Sequence, residues 1–368
     1  MVVPLAGRSV AAAVGALLVL VAWSSVIGTL IVPRPVSSLL TRWVDWSVDR
    51  AYLLTVSRVH DYQRRDRMLA TQAAAVLLTQ LVAWLGIAFV GFALLLWPLD
   101  PFGVSSAFTN AGSSMFTLGF AGTEGAAPLA VVFISAATGL VIVALQVGYL
   151  PALYAAFNRR ETEVTLLNGR GGIPAWGPEL LARTHYALGS GVSTIDTLPD
   201  LYAVWERWAA DVAESHTAYL PLVRFRSPRE LSSWVTALLS VLDSAALMLS
   251  LCPDAAPTVP ARLCLRAGFL CFQQIARSMG IDFPVMPEAS DGISVTYEDF
   301  LSAVERMREV DFPIERDPAD AWPDFVGWRV NYEKAAYGVA SAVDAVPALW
   351  SGPRRSGIPQ IPPIRPPR

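Results

Sequence analysis

The amino-acid sequence predicts an all-α membrane protein: one N-terminal transmembrane helix, two further transmembrane helices separated by a short helix and a loop, and a cytoplasmic bundle of α-helices. The 368 residues are 54% hydrophobic and 16% charged, with a mean hydropathy of +0.44, which is too apolar for a soluble protein of this length. The apolar residues are concentrated in three long runs in the first half. The second half has helical periodicity without alternating strand patterns, which predicts helices alone.

The first apolar run, residues 10–32, carries no charge and has about the 20 residues needed to cross a bilayer. A cleaved signal peptide is the alternative, but the run is long for one. Residues 33–67 then carry seven arginines, and the positive-inside rule places such a segment in the cytoplasm. We therefore expect a retained span with the N-terminus outside, and residues 1–67 to combine this span with a cytoplasmic linker.

Within the linker, residues 36–58 have an amphipathic pattern that includes Trp43 and Trp46. Tryptophans suit the headgroup level of a membrane, so this stretch is compatible with a helix at the membrane surface. A soluble helix packed on the cytoplasmic domain fits the same pattern, and both alternatives stay open.

The second and third apolar runs, residues 69–97 and 128–157, are each long enough to span a bilayer. The segment between them, from residue 98 to residue 127, has no lysine or arginine, as expected of an external loop. Inside that loop, residues 104–115 favour a helix that is too short and too polar to cross a membrane. The order is therefore span, short helix, loop, span.

The loop contains Thr-Leu-Gly-Phe-Ala-Gly at residues 117–122, directly after the short helix. A potassium filter replaces the ion's water with backbone carbonyls and a threonine hydroxyl, and glycine lets the backbone adopt the left-handed conformations that this requires. The segment resembles the Thr-Val-Gly-Tyr-Gly filter of the pore-loop potassium-channel superfamily in its two-transmembrane form, known from bacterial ion channels. The resemblance covers about residues 68–160, the predicted channel domain.

The resemblance implies a channel for potassium or another monovalent cation, with no cofactor and no bound metal besides the permeant ion. The implied filter consists of Thr117, Leu118, Gly119, Phe120, Ala121 and Gly122. One pore loop cannot enclose an ion path, so the resemblance also implies a homotetramer. Glu124 would form a ring of carboxylates at the outer mouth, or it is a loop acid without a role. Gly139 and Gln146 are candidates for a hinge and the pore lining, although Gly139 also fits a simple helix contact.

Three filter positions depart from the superfamily pattern. Leu118 and Phe120 are mild changes, since these side chains face away from the ions. Ala121 replaces the second glycine and costs about 1–2 kcal/mol per subunit if the backbone there is left-handed. The register could instead shift by one residue to use Gly122, or the outermost ion site could be distorted. The alternatives to a selective channel are therefore a weakly selective cation channel and a non-conducting membrane scaffold or sensor.

The second half, residues 161–352, predicts a cytoplasmic all-α domain of five or six helices after a break at residues 168–174. Helices are expected at 198–219, from Ser227 to about Leu251, at 260–279, from Thr296, and at 323–350. The stretch ending at Leu251 is apolar enough for a fourth span, but Asp243 near its centre favours a buried bundle helix. Residues 353–368 are rich in proline and arginine and predict a disordered tail.

No catalytic cluster is visible in the second half, so we do not expect an enzyme. Cys252, Cys264 and Cys271 fit no metal pattern and predict buried free thiols in a reducing cytoplasm. The expected partners are the plasma-membrane bilayer, other copies of the chain and an unknown ligand or protein at the helical domain. The net charge of −3 gives no indication of nucleic-acid binding.

Overall fold

The computed structural model describes residues 5–32, 38–185 and 194–351, so the predicted tail at 353–368 lies outside the described residues. The part of the chain that is described contains helices and turns and no strand. The helices are α1 (Leu5–Leu30), α2 (Leu39–Val56), α3 (Tyr62–Leu69), α4 (Gln72–Leu96), α5 (Val104–Met115), α6 (Ala126–Gly171), α7 (Gly177–His185), α8 (Leu198–Ala218), α9 (Trp234–Leu251), α10 (Thr258–Ser278), α11 (Tyr297–Arg308), α12 (Pro318–Arg329) and α13 (Glu333–Ala342).

Four helical segments in the described residues are long and apolar enough to cross a membrane, which indicates a membrane protein. They are Gly7–Leu30, Tyr62–Leu99, Ala126–Gly171 and Trp234–Leu251. The last differs from the others because 94% of its apolar window is buried within the chain, whereas the corresponding windows of the other three are 28%, 33% and 28% buried. This burial agrees with the bundle helix predicted around Asp243.

The chain forms two compact units, Met1–Tyr154 and Ala155–Arg368, and the boundary falls within α6. In the first unit, the backbones of α1 and α4 come close together where Gly15 faces Gly91. A Cβ atom added to Gly15 would lie 2.6 Å from the carbonyl oxygen of Gly91, and one added to Gly91 would lie 2.9 Å from that of Gly15. Paired small residues let two helix backbones pack directly against each other in a membrane.

We expect Gly91→Val to destabilise the solubilised protein by about 1–3 kcal/mol, because its side chain would overpack the contact with α1. Gly86 lies in the same helix, and a Cβ atom added there would have no atom within 4 Å, so Gly86→Val is the matched control and should change little. Thermal unfolding of the two variants measures the difference, and equal transition temperatures would contradict the close contact.

Helix α2 packs against α1 and α4 in the first unit. Val44 and Val48 bury their side chains with Val76 of α4. The amide of Gln80 donates to Asp45 Oδ1 at 3.0 Å, and that of Gln72 donates to Asp49 Oδ1 at 2.8 Å. The acidic side chains of α2 are therefore directed towards α4.

In the second unit, α9 is the central helix, and almost every residue from Trp234 to Leu251 is buried. Asp243 on α9 forms an ion pair with Arg329 of α12 and accepts a hydrogen bond from the Tyr332 hydroxyl at 2.8 Å. Arg329 also donates to Glu333 at 2.6 Å and to the Trp350 carbonyl at 2.7 Å. The buried charges thus have several partners each, as buried charges require.

A second buried cluster surrounds Arg160 near the C-terminal end of α6. Its guanidinium donates to Glu161, to the Leu222 carbonyl and to Nε2 of His216 at 2.9 Å. Arginine can only donate, so His216 Nε2 is the acceptor. Burial and the charge of Arg160 hold the pKa of His216 well below its ordinary value of 6.5, and the ring is neutral.

We expect this buried histidine to make the second unit sensitive to acid. Below pH 6.5 the unfolded chain gains a proton that folded His216 does not bind, so the free energy of unfolding falls as pH falls. The slope from this residue is at most about 1.4 kcal/mol per pH unit. Denaturation of wild type and His216→Gln across this range measures it, and a variant as acid-sensitive as the wild type would contradict the assignment.

Two helix predictions for the second half are wrong. The pattern at Ser227 does not start a helix: α9 begins at Trp234, where the Ser233 hydroxyl accepts from the Val235 amide, after Leu231 takes a left-handed φ of 61°. The predicted helix at 323–350 is two helices, α12 and α13. In addition, α6 continues through the first part of the predicted break and ends at Gly171, and α7 was not predicted.

Candidate functional site

The short helix α5 occupies the residues predicted from the sequence, and buried polar contacts fix its start. Asp100, almost completely buried, accepts from the backbone amide of Phe102 at 2.8 Å and from the side-chain amide of Asn110 at 3.0 Å. Farther along α5, Ala107, Ala111 and Met115 belong to the hydrophobic core of the first unit. The helix is therefore anchored at its start and along its length.

Ser113, in the last turn of α5, holds the loop that follows. Its carbonyl oxygen accepts from the amides of Leu118 at 2.8 Å and Gly119 at 3.3 Å. Its hydroxyl oxygen accepts from the amide of Ala121 at 3.0 Å. One residue thus binds three backbone N–H groups of the predicted filter.

These three bonds orient the backbone carbonyls of the loop. In a planar trans peptide, the carbonyl of one residue points opposite to the N–H of the next. The amides of Leu118, Gly119 and Ala121 point to Ser113, so the preceding carbonyls point away from it. Those carbonyls belong to Thr117, Leu118 and Phe120.

Left-handed residues alternate with ordinary ones along the same segment. The φ angles of Thr117 and Gly119 are 55° and 70°, whereas Leu118, Ala121 and Gly122 do not have positive φ. The cost expected for Ala121 therefore does not arise in this conformation. Thr117 is the strained position instead, because a β-branched residue rarely adopts positive φ, and such strain is concentrated at functional sites.

The predicted filter is exposed in the single chain. The side chains of Leu118 and Phe120 are 63% and 69% exposed, although both are large and apolar. Glu124 is exposed in the same loop. Large apolar side chains around oriented carbonyls make this loop a candidate contact between copies of the chain.

Gly139 and Gln146 lie on the buried face of α6. A Cβ atom on Gly139 would be 2.2 Å from the carbonyl oxygen of Met115, so α6 touches the end of α5 through backbone atoms. Gln146 is 6% exposed, and its Oε1 has no hydrogen-bond partner among the described residues. Trp23 of α1 donates to Thr138 on the same face at 3.3 Å. Roles for Gly139 as a hinge and Gln146 in the pore lining stay predictions.

Sequence reasoning did not identify Ser113 or the pair of Asp100 and Asn110. Ser113 adjoins Ser114, and composition alone does not distinguish them. The Ser114 hydroxyl donates to the Ala111 carbonyl at 3.0 Å, within α5, and only the Ser114 backbone carbonyl meets the loop, where it accepts from the Thr117 amide at 3.0 Å. The helical phase decides which serine faces the loop, and that phase follows from the packing of α5.

The described residues contain no group of three or more histidine, cysteine, aspartate or glutamate side chains that could hold a metal ion. Cys252, Cys264 and Cys271 are free and buried, and burial raises the pKa of Cys264 and Cys271 well above the ordinary thiol value. The expectation of buried free thiols is confirmed. Comparison of the chain with protein-family models, with curated proteins and with solved structures gives no match.

Proposed function

We propose that the protein is a tetrameric, potassium-channel-like cation channel of the plasma membrane. The observation that carries the proposal is that three backbone carbonyls, those of Thr117, Leu118 and Phe120, each point away from Ser113. Carbonyl oxygens that face one side replace the water of a bare cation. Residues 117–122 form the filter, with Glu124 at its outer mouth.

The position of the loop supports the same function. The filter connects α5 to α6, and α4 precedes α5, so two helices able to cross a membrane flank it. The C-terminal end of α5 carries the negative end of its helix dipole, which favours a cation nearby. Four copies around one axis would turn the exposed carbonyls into rings.

The remaining parts of the proposal concern topology and the second unit. The N-terminus lies outside the cell, the arginine-rich segment lies inside, and the helical unit is cytoplasmic. This unit regulates the channel or assembles it, through a ligand or protein partner.

The test is potassium flux into liposomes that contain the purified full-length protein, together with the subunit number in detergent. We expect a tetramer that carries potassium, while protein-free liposomes do not. A folded protein without flux under any stimulus would support the non-conducting scaffold instead. Flux of sodium and potassium at equal rates would support a weakly selective channel.

Ser113→Ala is expected to lower discrimination between potassium and sodium. The change removes the bond to the Ala121 amide, worth about 1 kcal/mol per subunit, and frees the Phe120 carbonyl to rotate. Bi-ionic reversal potentials measure the permeability ratio, which should fall several-fold. Ser114→Ala is the matched control and should keep the wild-type ratio, and Ser113→Thr should restore it. An unchanged ratio in Ser113→Ala would contradict this positioning role.

A further inference from the structure

Helix α2 has an exposed apolar face opposite the face that packs on α4. The indole rings of Trp43 and Trp46 lie 5.9 Å apart, and both side chains are more than half exposed. The exposed apolar residues of this face are Leu39, Trp43, Trp46, Leu53 and Leu54. An apolar helix face of this kind needs a partner.

The same face is positively charged. Arg42 and Arg50 are exposed, and at helical spacing they lie on the side of Trp43 and Trp46. The acidic residues of α2, Asp45 and Asp49, instead accept hydrogen bonds from glutamines of α4. The outer face of α2 therefore combines tryptophan and leucine with arginine and presents little negative charge.

The hydrogen bonds of α2 place it at the ends of two helices able to cross a membrane. Thr41, in its first turn, lies 3.3 Å from Ser25 and 3.1 Å from Thr29, near the C-terminal end of α1. Tyr52, in its last turn, bonds to Thr71 at 2.8 Å, just before α4. The headgroup layer of a bilayer lies at such helix ends, and tryptophan and arginine are the side chains that bind there.

We propose that the outer face of α2 binds the headgroup layer of an anionic bilayer. Trp43 and Trp46 enter the boundary between headgroups and acyl chains, and Arg42 and Arg50 bind lipid phosphates. A basic amphipathic helix binds an anionic surface through both its apolar area and its charge. The inference does not depend on ion conduction.

The experiment places a fluorophore on the outer face in the full-length protein. Trp46→Cys is labelled with the environment-sensitive dye NBD, and the buried native cysteines are left unlabelled, as an unsubstituted control confirms. Gln63→Cys, at an exposed position of α3, is the matched control. Each protein is reconstituted into vesicles of phosphatidylcholine alone or of equal parts phosphatidylcholine and phosphatidylglycerol.

We expect dye at position 46 to emit at shorter wavelength than dye at position 63 and to be quenched by brominated lipids. The blue shift should be larger with phosphatidylglycerol and should decrease when Arg42→Gln and Arg50→Gln are combined. Trp43→Cys should behave as Trp46→Cys does, which guards against a variant that fails to fold. Water-like emission at both positions would overturn the inference. A blue shift at position 46 that is the same with and without phosphatidylglycerol, and that is unchanged by the two arginine substitutions, would also overturn it. A shift that disappears as protein is diluted in lipid would instead assign the face to a second copy of the chain.

Discussion

Gly119→Ala is expected to reduce potassium flux at least tenfold, while Gly122→Ala leaves it close to the wild-type rate. At both positions a Cβ atom would have nothing within 4 Å, so a steric clash is not expected in either variant. The two variants differ in backbone conformation, because Gly119 has a φ of 70° and Gly122 has no positive φ. Alanine in the left-handed region costs about 1–2 kcal/mol, and a tetramer would bear that cost in every subunit.

The strain that alanine introduces at position 119 is expected to change the direction of the neighbouring backbone carbonyls. If the backbone at position 119 leaves the left-handed region, the Leu118 carbonyl turns away from its present direction. A cost of about 1.4 kcal/mol already lowers the population of the conducting conformation about tenfold. Liposome flux of the two variants, at equal tetramer content by size-exclusion chromatography, measures the effect. Equal flux in both variants would show that residues 117–122 do not form the ion path.

Asp243→Ala is expected to lower the free energy of unfolding by about 3–5 kcal/mol, because it removes one partner of a buried ion pair. Arg329 is completely buried, so its charge cannot regain water when the carboxylate is lost. Glu333 and the Trp350 carbonyl remain as partners, and they place the expected loss towards the lower end of the range.

Asp211→Ala is the matched control for Asp243→Ala. Asp211 pairs with Arg159 at 3.0 Å, but both side chains are more than one third exposed, and such pairs contribute less than about 1 kcal/mol. Denaturant unfolding of the full-length protein, followed by tryptophan fluorescence, measures both changes. Similar losses in the two variants would mean that burial of Asp243 does not determine its contribution.

The sequence was most informative about the first half of the chain. Long apolar runs predicted α1, α4 and α6, and the polar residues after Gly103 predicted α5 with its observed bounds. These signals are local, since they depend on composition along one helix. The second half was less predictable, because its helix ends depend on tertiary contacts. The hydroxyl of Ser232 accepts from Asn168 at 3.0 Å, just before the observed start of α9.

The candidate site was predicted as a segment and not as a geometry. Thr117, Gly119 and their neighbours stood out as a pattern, whereas the backbone conformation at Ala121 was left open between a left-handed residue, a shifted register and a distorted outer site. The residue that fixes the loop, Ser113, carries no pattern of its own. Its role follows from which side of α5 faces residues 118–121, and that depends on the packing of the whole unit.

The contact between Gly139 and Met115 has a mechanical consequence. Side chains deform when two helices shift, and they absorb part of the displacement, but here the backbone of Gly139 lies directly against the carbonyl group of Met115. Tightly packed interiors transmit strain with little loss. A movement of α6 at Gly139 therefore reaches Met115 almost undiminished, only two residues before the left-handed turn at Thr117.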